Sequence, residues 1–156
     1  MTDFTHLDEE GHVHMVDVGS KSVSRREAVA TATVSMTPET RTALFGGGVP
    51  KGDALAVARV AAIQGVKKTP DLIPLCHPIA VDSVSVDIAE TDGGAVLTVT
   101  AGTSGRTGVE MEAMTGASIG ALALYDMIKG MDRSATIESI ALQVKTGGKT
   151  GTWNRD

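Results

Sequence analysis

The chain has 156 residues, 42% of them apolar but only 3% aromatic, and a net charge of −5. That length suits one domain, 1–156, whose core must come from Ala, Val, Leu, Ile and Met packed closely among eighteen glycines. The acidic balance argues against a nucleic-acid partner, the single cysteine against an internal disulfide, and the short apolar runs against a membrane span, which needs roughly 18 residues. Nothing near the start reads as a secretory leader, so the reducing cytoplasm is the expected compartment.

Residues 1 to 20, MTDFTHLDEEGHVHMVDVGS, are polar and aperiodic, and are expected to form an extended arm ordered by packing on something else. Within it His12 and His14 are two apart; in a strand they could offer two imidazoles to a metal, and otherwise they are solvated arm residues. From Arg26, REAVATATVSM alternates, with Ala28, Ala30, Ala32, Val34 and Met36 on one side, which predicts a strand. Thr37-Pro38-Glu39 reads as a short helix start, and FGGGVPKG after it as a mobile loop ending at Lys51. Asp53 is a good N-cap for ALAVARVAAIQGVKK, where Leu55, Ala58, Ala62, Ile63 and Val66 recur at helical spacing. Lys67 and Lys68 suit its C-terminal end.

DLIPLCHPIA follows, then VDSVSVDIAE and VLTVTAGTSG, two alternating runs joined at Gly93-Gly94 as a hairpin. A capping-box pattern from Thr107 to Glu110 opens a second long helix through TGVEMEAMTGASIGALALYDMIKGMD, whose Gly116 and Gly120 predict a very close neighbour. SIALQVK is the last strand, with Ile140, Leu142 and Val144 on one face and Ala141, Gln143 and Lys145 on the other. Residues 146 to 156 are expected to be a flexible tail. The order strand, helix, strand, strand, helix, strand is the split βαβ pattern: an α+β, ferredoxin-like fold, an antiparallel sheet with two long helices on one face.

Several groups could carry chemistry. Cys76 and His77 are adjacent, but neighbours in an extended segment point in opposite directions, so the thiol cannot take the imidazole as its base. What survives is a loop stiffened by Pro74 and Pro78 that presents His77 and main-chain groups to a ligand, or a buried Cys beside an ordinary loop His. KTGGKTG at 145 to 151 is phosphate-friendly through its glycines and Lys145 and Lys149, yet it lacks the Walker A spacing and reads equally well as tail. Glu110 and Glu112 are favoured in a first helical turn in any case, and Asp126 with Lys129 is an ordinary i,i+3 pair. Together these lysines, carboxylates and one histidine form the inventory of acid–base chemistry on a polyphosphate.

In order and spacing, MVDVGSK, KGDALAVARVAAIQGVKKTPDLIPLCHP, TGVEMEAMTGAS, ALYDMIKGMD and KTGGKTG resemble the molybdenum cofactor biosynthesis protein C family, the cyclic pyranopterin monophosphate synthases. The resemblance implies conversion of (8S)-3′,8-cyclo-7,8-dihydroguanosine 5′-triphosphate to cyclic pyranopterin monophosphate with release of pyrophosphate, and a ferredoxin-like fold. It implies a site of Lys51, Leu75, Cys76, His77, Glu110, Met111, Glu112, Asp126, Lys129 and Lys145. In that set Asp126 with Lys129 would move protons and Lys51 would be a second acid or base or a charge stabiliser. Lys145 and His77 would hold phosphates, and Glu112 the guanine edge. No cofactor or resident metal is implied, and Mg²⁺ arriving with the triphosphate stays open.

Glu112 and Asp126 are fourteen residues apart on one helix, roughly 21 Å along its axis, too far for one nucleotide to touch both at its reacting end. The site is therefore expected to be shared between subunits, with Gly116 and Gly120 allowing close contact, in line with the family's hexamer, a trimer of dimers. The rival reading is a non-catalytic ferredoxin-like sensor of small molecules, which would not need Lys51, Asp126 and Lys129 together; a metal enzyme, sensitive to chelator, is a weaker third.

Overall fold

A computed structural model of the chain describes residues 7, 8, 10–148 and 151–156. The chain runs β1 (Ser24–Ser35), α1 (Pro38–Phe45), α2 (Ala54–Leu72), β2 (Ser83–Thr91), β3 (Gly94–Gly105), α3 (Glu110–Ile128), β4 (Thr136–Thr146) and β5 (Trp153–Asn154). All neighbouring strands are antiparallel, in the order β2-β3-β1-β4-β5. β3 lies between β1 and β2, and β1 lies between β3 and β4, so each helical crossover straddles a strand inserted from the other, as the split βαβ pattern requires.

The alternation in β1 and β3 decides which face is covered. Ala28, Ala30, Ala32 and Val34 of β1 and Leu97, Val99 and Ala101 of β3 are fully buried on one face. Over them lie Ala58, Ala62 and Val66 of α2 and Ala113, Ala117, Ala121 and Leu124 of α3. With so many alanines in the layer, the two helices approach each other and the sheet more closely than bulkier side chains would permit.

Gly116 and Gly120 serve this intramolecular contact, not the intersubunit contact expected from their spacing. A Cβ on Gly116 would lie 2.6 Å from Val66 Cγ2, and one on Gly120 would lie 3.0 Å from both Ala62 Cβ and Leu97 Cδ2. From the other side Gly65 does the same for Ile119, whose Cβ would be 2.9 Å away. The glycines sit at the crossing because the core is beneath them; their sequence spacing alone does not say which neighbour comes close.

Asp53 caps α2 by accepting from the Ala56 N–H at 2.9 Å, but the helix continues beyond Lys67 and Lys68, through Pro70, to Leu72. Proline cannot donate to the Val66 carbonyl, and the buried Thr69 hydroxyl fills the vacancy, donating to Val66 O at 3.0 Å and standing 3.2 Å from Gly65 O. Thr107 does not cap α3: the N-cap is Val109 without a side-chain bond. In place of a capping box, the Glu110 carboxylate packs against Gly108 and accepts from Lys145 Nζ at 2.9 Å.

The segment 146 to 156, expected as tail, contributes β5. Gly147, Gly148 and Gly151 all adopt positive φ (91°, 76° and 67°) and turn the chain back, so that Trp153 pairs with Lys145 and Asn154 with Val144. Ahead of β1, Leu7 and Val13 form an isolated bridge in the arm.

Candidate active site

The DLIPLCHPIA stretch begins inside α2 and leaves it through a turn in which Cys76 N–H donates to Ile73 O at 3.1 Å. Its far end is tied to β3, where Thr103 Oγ1 donates to Ala80 O at 2.6 Å and Ser104 N–H to Asp82 Oδ2 at 2.7 Å. The loop is thereby held across the N-terminal end of α3. There Cys76, His77, Met111 and Glu112, with Val16 and Val18 of the arm, surround a cavity of about 270 Å³; Leu75 and Glu110 also reach its wall.

His77 Nε2 lies 2.7 Å from Val16 O. A carbonyl only accepts, so Nε2 carries the proton in this contact, and Nδ1 is the ring nitrogen left for a ligand. Burial pushes the Cys76 thiol up, and the Glu112 carboxylate pushes it further the same way, so Cys76 is protonated and unreactive at neutral pH. Glu112 is 3% exposed; burial raises its carboxyl, a bond from its own backbone N–H lowers it, and Glu110 raises it again.

Lys145 reaches this end because β4 is irregular. Ala30 pairs with Leu142 and Val29 with Val144, so Gln143 is an extra residue, and Lys145 falls opposite Ala28 on the helix-covered face. Strict alternation put Lys145 on the face away from Leu142; the bulge reverses it and aims its ammonium at Glu110. Gln143 turns to the outer face and donates to Thr31 Oγ1 at 2.7 Å.

The second cluster stands at the other end of α3. Asp126 Oδ1 is 2.7 Å from Lys129 Nζ, and Asp126 Oδ2 is 2.9 Å from Lys51 Nζ. Lys51 also donates to the Asp126 carbonyl at 2.8 Å, so the loop after α1 delivers its lysine onto the end of α3. Hydrogen bonds from Lys129 and then Lys51, reinforced by their charges, lower the Asp126 carboxyl to about 2, and Asp126 in turn raises Lys129. Tyr125 and Arg133 border the cavity of about 280 Å³ beside Lys51 and Lys129. Neither stood out in the sequence; the i+4 step from Tyr125 to Lys129 was the available sign.

The structure thus gathers Leu75, Cys76, His77, Glu110, Met111, Glu112 and Lys145 at one end of α3, and Lys51, Asp126 and Lys129 at the other. Among the described residues none borders both the first and the second cavity. His12 stays exposed beside Asp8 and Glu10, at 3.6 and 3.5 Å, and among the described residues no group of three or more His, Cys, Asp or Glu is placed to hold a metal ion. Lys149 lies outside the described residues.

Fold and clusters together define a ferredoxin-like α+β protein that carries a cavity lined by histidine, cysteine and carboxylates at the start of one helix and an ion-paired Lys51–Asp126–Lys129 triplet at its end. The family model described as the MoaC family matches residues 15–148, and the chain belongs to that family. Among curated relatives, a cyclic pyranopterin monophosphate synthase of Novosphingobium aromaticivorans is 51% identical over 153 residues, covering 98% of each chain. One of Streptomyces coelicolor is 50% identical over 151 residues, 97% of this chain and 89% of that one. One of Corynebacterium glutamicum strain R is 49% identical over 154 residues, 99% of each.

Proposed function

We propose that the protein is a cyclic pyranopterin monophosphate synthase, a pyrophosphate-releasing lyase of molybdenum cofactor biosynthesis that acts on (8S)-3′,8-cyclo-7,8-dihydroguanosine 5′-triphosphate. The observation that carries this reading is the pair of complementary half-sites on α3, in a chain half identical over almost its whole length to enzymes of that name. A small-molecule sensor would have use for the first half-site; family membership and the Lys51–Asp126–Lys129 triplet favour the catalyst.

The reaction must open the five-membered ring of the purine and close a new ring, steps that need protons delivered and removed, while a ribose-derived hydroxyl attacks the α-phosphorus. Asp126 and Lys129 are each in the form that this requires: the carboxyl held at about 2 is ionised, and the raised ammonium is protonated. Lys51, on the other carboxylate oxygen, is a second proton donor or a stabiliser of developing charge. At the opposite end Glu112 accepts from the guanine edge, whose N–H donors offset the cost of ionising a buried carboxyl. Lys145 and His77 hold phosphate oxygens. Leu75, Cys76 and Met111 shape the pocket, and any Mg²⁺ arrives with the triphosphate.

One nucleotide joins the half-sites only if they come from two subunits. A two-fold axis that sets α3 antiparallel to its mate places each Glu112 near the partner's Asp126 and generates two equivalent sites. Met111 and Leu122 remain exposed on that helix, at 38% and 55%. A trimer of such dimers gives the hexamer, in the cytoplasm; among the described residues no helix is long and apolar enough to cross a membrane. Incubation with the cyclised dihydro-GTP should yield pyrophosphate and the pterin product, and Asp126→Asn should abolish both. Wild-type rates in that variant would remove Asp126 from the chemistry.

A further inference from the structure

We infer that Asp132 is a positioning residue for the Lys51–Asp126–Lys129 triplet: its carboxylate ties the turn after α3, which carries Lys129, to the start of α1, whose far end leads to Lys51. The inference rests on the reading of the activity above and adds a residue to which that reading gives no part. Asp132 is 5% exposed, one of two buried carboxylates among the described residues, the other being Glu112. It lines neither the His77 cavity nor the one beside Lys51.

Its two oxygens are divided between two parts of the chain. Oδ1 accepts from Ser134 N–H at 2.9 Å and from Ser134 Oγ at 2.6 Å, and Oδ2 accepts from Thr37 N–H at 2.8 Å. The bond from the Ser134 hydroxyl, and then that from Thr37 N–H, hold the carboxyl below its ordinary value against the opposing effect of burial. Asp132 is therefore an ionised acceptor at neutral pH, and its bonds are of the stronger, charge-assisted kind.

On one side these bonds fasten the turn that closes α3. Met131 N–H and Asp132 N–H both donate to Ile128 O, at 2.8 and 3.0 Å, and the turn puts Lys129, Gly130 and Arg133 in the wall of the cavity beside Lys51. On the other side Thr37 is the N-cap of α1, a helix of about two turns. Leu44 and Val49 are buried, so helix and loop form one packed unit from Thr37 to Lys51. Arg41 fixes this unit to the β2–β3 hairpin, with Nη1 donating to Thr91 O at 3.1 Å; Thr37 and Asp132 link it to the end of α3. Lys51 and Lys129 meet on opposite oxygens of Asp126, at 2.9 and 2.7 Å, only while the segments that bear them keep their separation. A displacement of about 1 Å can cost roughly a hundredfold in rate.

An amide cannot replace this carboxylate. Asparagine has one acceptor oxygen: if it takes the Ser134 donors, its NH₂ faces Thr37 N–H, and when flipped it faces Ser134 N–H. One N–H is left unpaired either way, with the side-chain volume unchanged.

Asp132→Asn should lower kcat about tenfold while KM for the cyclised nucleotide stays within about twofold of the wild type. Without substrate, hydrogen–deuterium exchange in that variant should rise in residues 37–52 and 129–134, while the core amides of β1 and β3 keep their protection. A second pair decides the matter if Asp132→Asn does not fold. Thr37 has φ −65°, which proline adopts, so Thr37→Pro deletes the N–H donor, whereas Thr37→Ala deletes only the capping hydroxyl. The proline variant should repeat the loss in kcat, and the alanine variant should keep most of the wild-type value. The positioning role is overturned if Asp132→Asn turns over at the wild-type rate, if exchange rises equally throughout the sheet, or if the two Thr37 variants have the same kcat. Exchange that rises selectively at 37–52 in a protein that does not convert the cyclised nucleotide would sustain the tie and sink the activity reading instead.

Discussion

Folding buries Glu112 to 3% exposure, and that burial, helped by the nearby Glu110, holds its carboxyl above the ordinary value of 4.5 in spite of the opposing bond from its own backbone N–H. A carboxyl raised in the folded state binds its proton more tightly there than in the unfolded chain. Its favourable contribution is therefore full below 4.5 and is lost as pH rises through the folded value. Glu112→Gln removes this dependence. Its Tm should exceed that of the wild type by a few degrees at neutral pH, and the gap should narrow toward pH 4.5, as followed by circular dichroism across that interval. A constant gap would show that Glu112 is not the group responsible. The same residue illustrates what sequence shows at this scale: Glu112 stood out in its motif, but its first-turn position predicted a stabilised carboxylate, and only the packing of the loop and arm over it reverses the sign.

The elements were legible wherever a side-chain period controls them. The alternation in β1 behaves as its pattern requires because burial on one face enforces it, Asp53 caps α2 through its hydrogen bond from Ala56, and the β2–β3 hairpin forms one residue earlier than expected, through Asp92-Gly93 with Gly94 already paired to Thr91. Departures occur where one backbone group or one inserted residue decides: Thr69 replaces the donor missing at Pro70, Glu110 accepts from Lys145 in place of a capping box, and Gln143 shifts the register of β4. The α2–α3 crossing can be tested by substitution. Gly116→Ala gains about 1 kcal/mol of helix propensity, but its methyl would stand 2.6 Å from Val66 Cγ2 and 3.1 Å from Ala62 O. Overpacking at such a site costs about 1–3 kcal/mol, so the substitution should lower stability on balance in urea unfolding. Gly130→Ala, with nothing within 4 Å of the new methyl, should change stability by no more than about 0.5 kcal/mol. Equal effects from the two would contradict the crossing.

For the whole molecule, the distance along α3 becomes a statement about assembly. Glu112→Ala and Asp126→Ala chains should each be inactive alone. When co-expressed at equal amounts, half of the dimers pair unlike chains, and each of these holds one intact and one doubly defective site. The mixture should recover about one quarter of wild-type turnover if the two chains exchange freely. No recovery in mixtures shown by native mass spectrometry to contain both chains would rule out the shared site.

By itself the sequence determined the order of the four long strands and two long helices, the ferredoxin-like class, the family and the identities of the candidate site residues, since periodicity, turn residues and long motifs are local along the chain. Tertiary structure decided matters that depend on partners distant in sequence. It turned Gly116 and Gly120 inward to α2, brought Lys145 onto the face of Glu110 and laid Val16 on His77. None of these follows from spacing, because each results from a register or a contact set by another part of the fold. DLIPLCHPIA is the clearest case: its prolines announce a stiff loop, but only its attachment to β3 places His77 at the N-terminal end of α3.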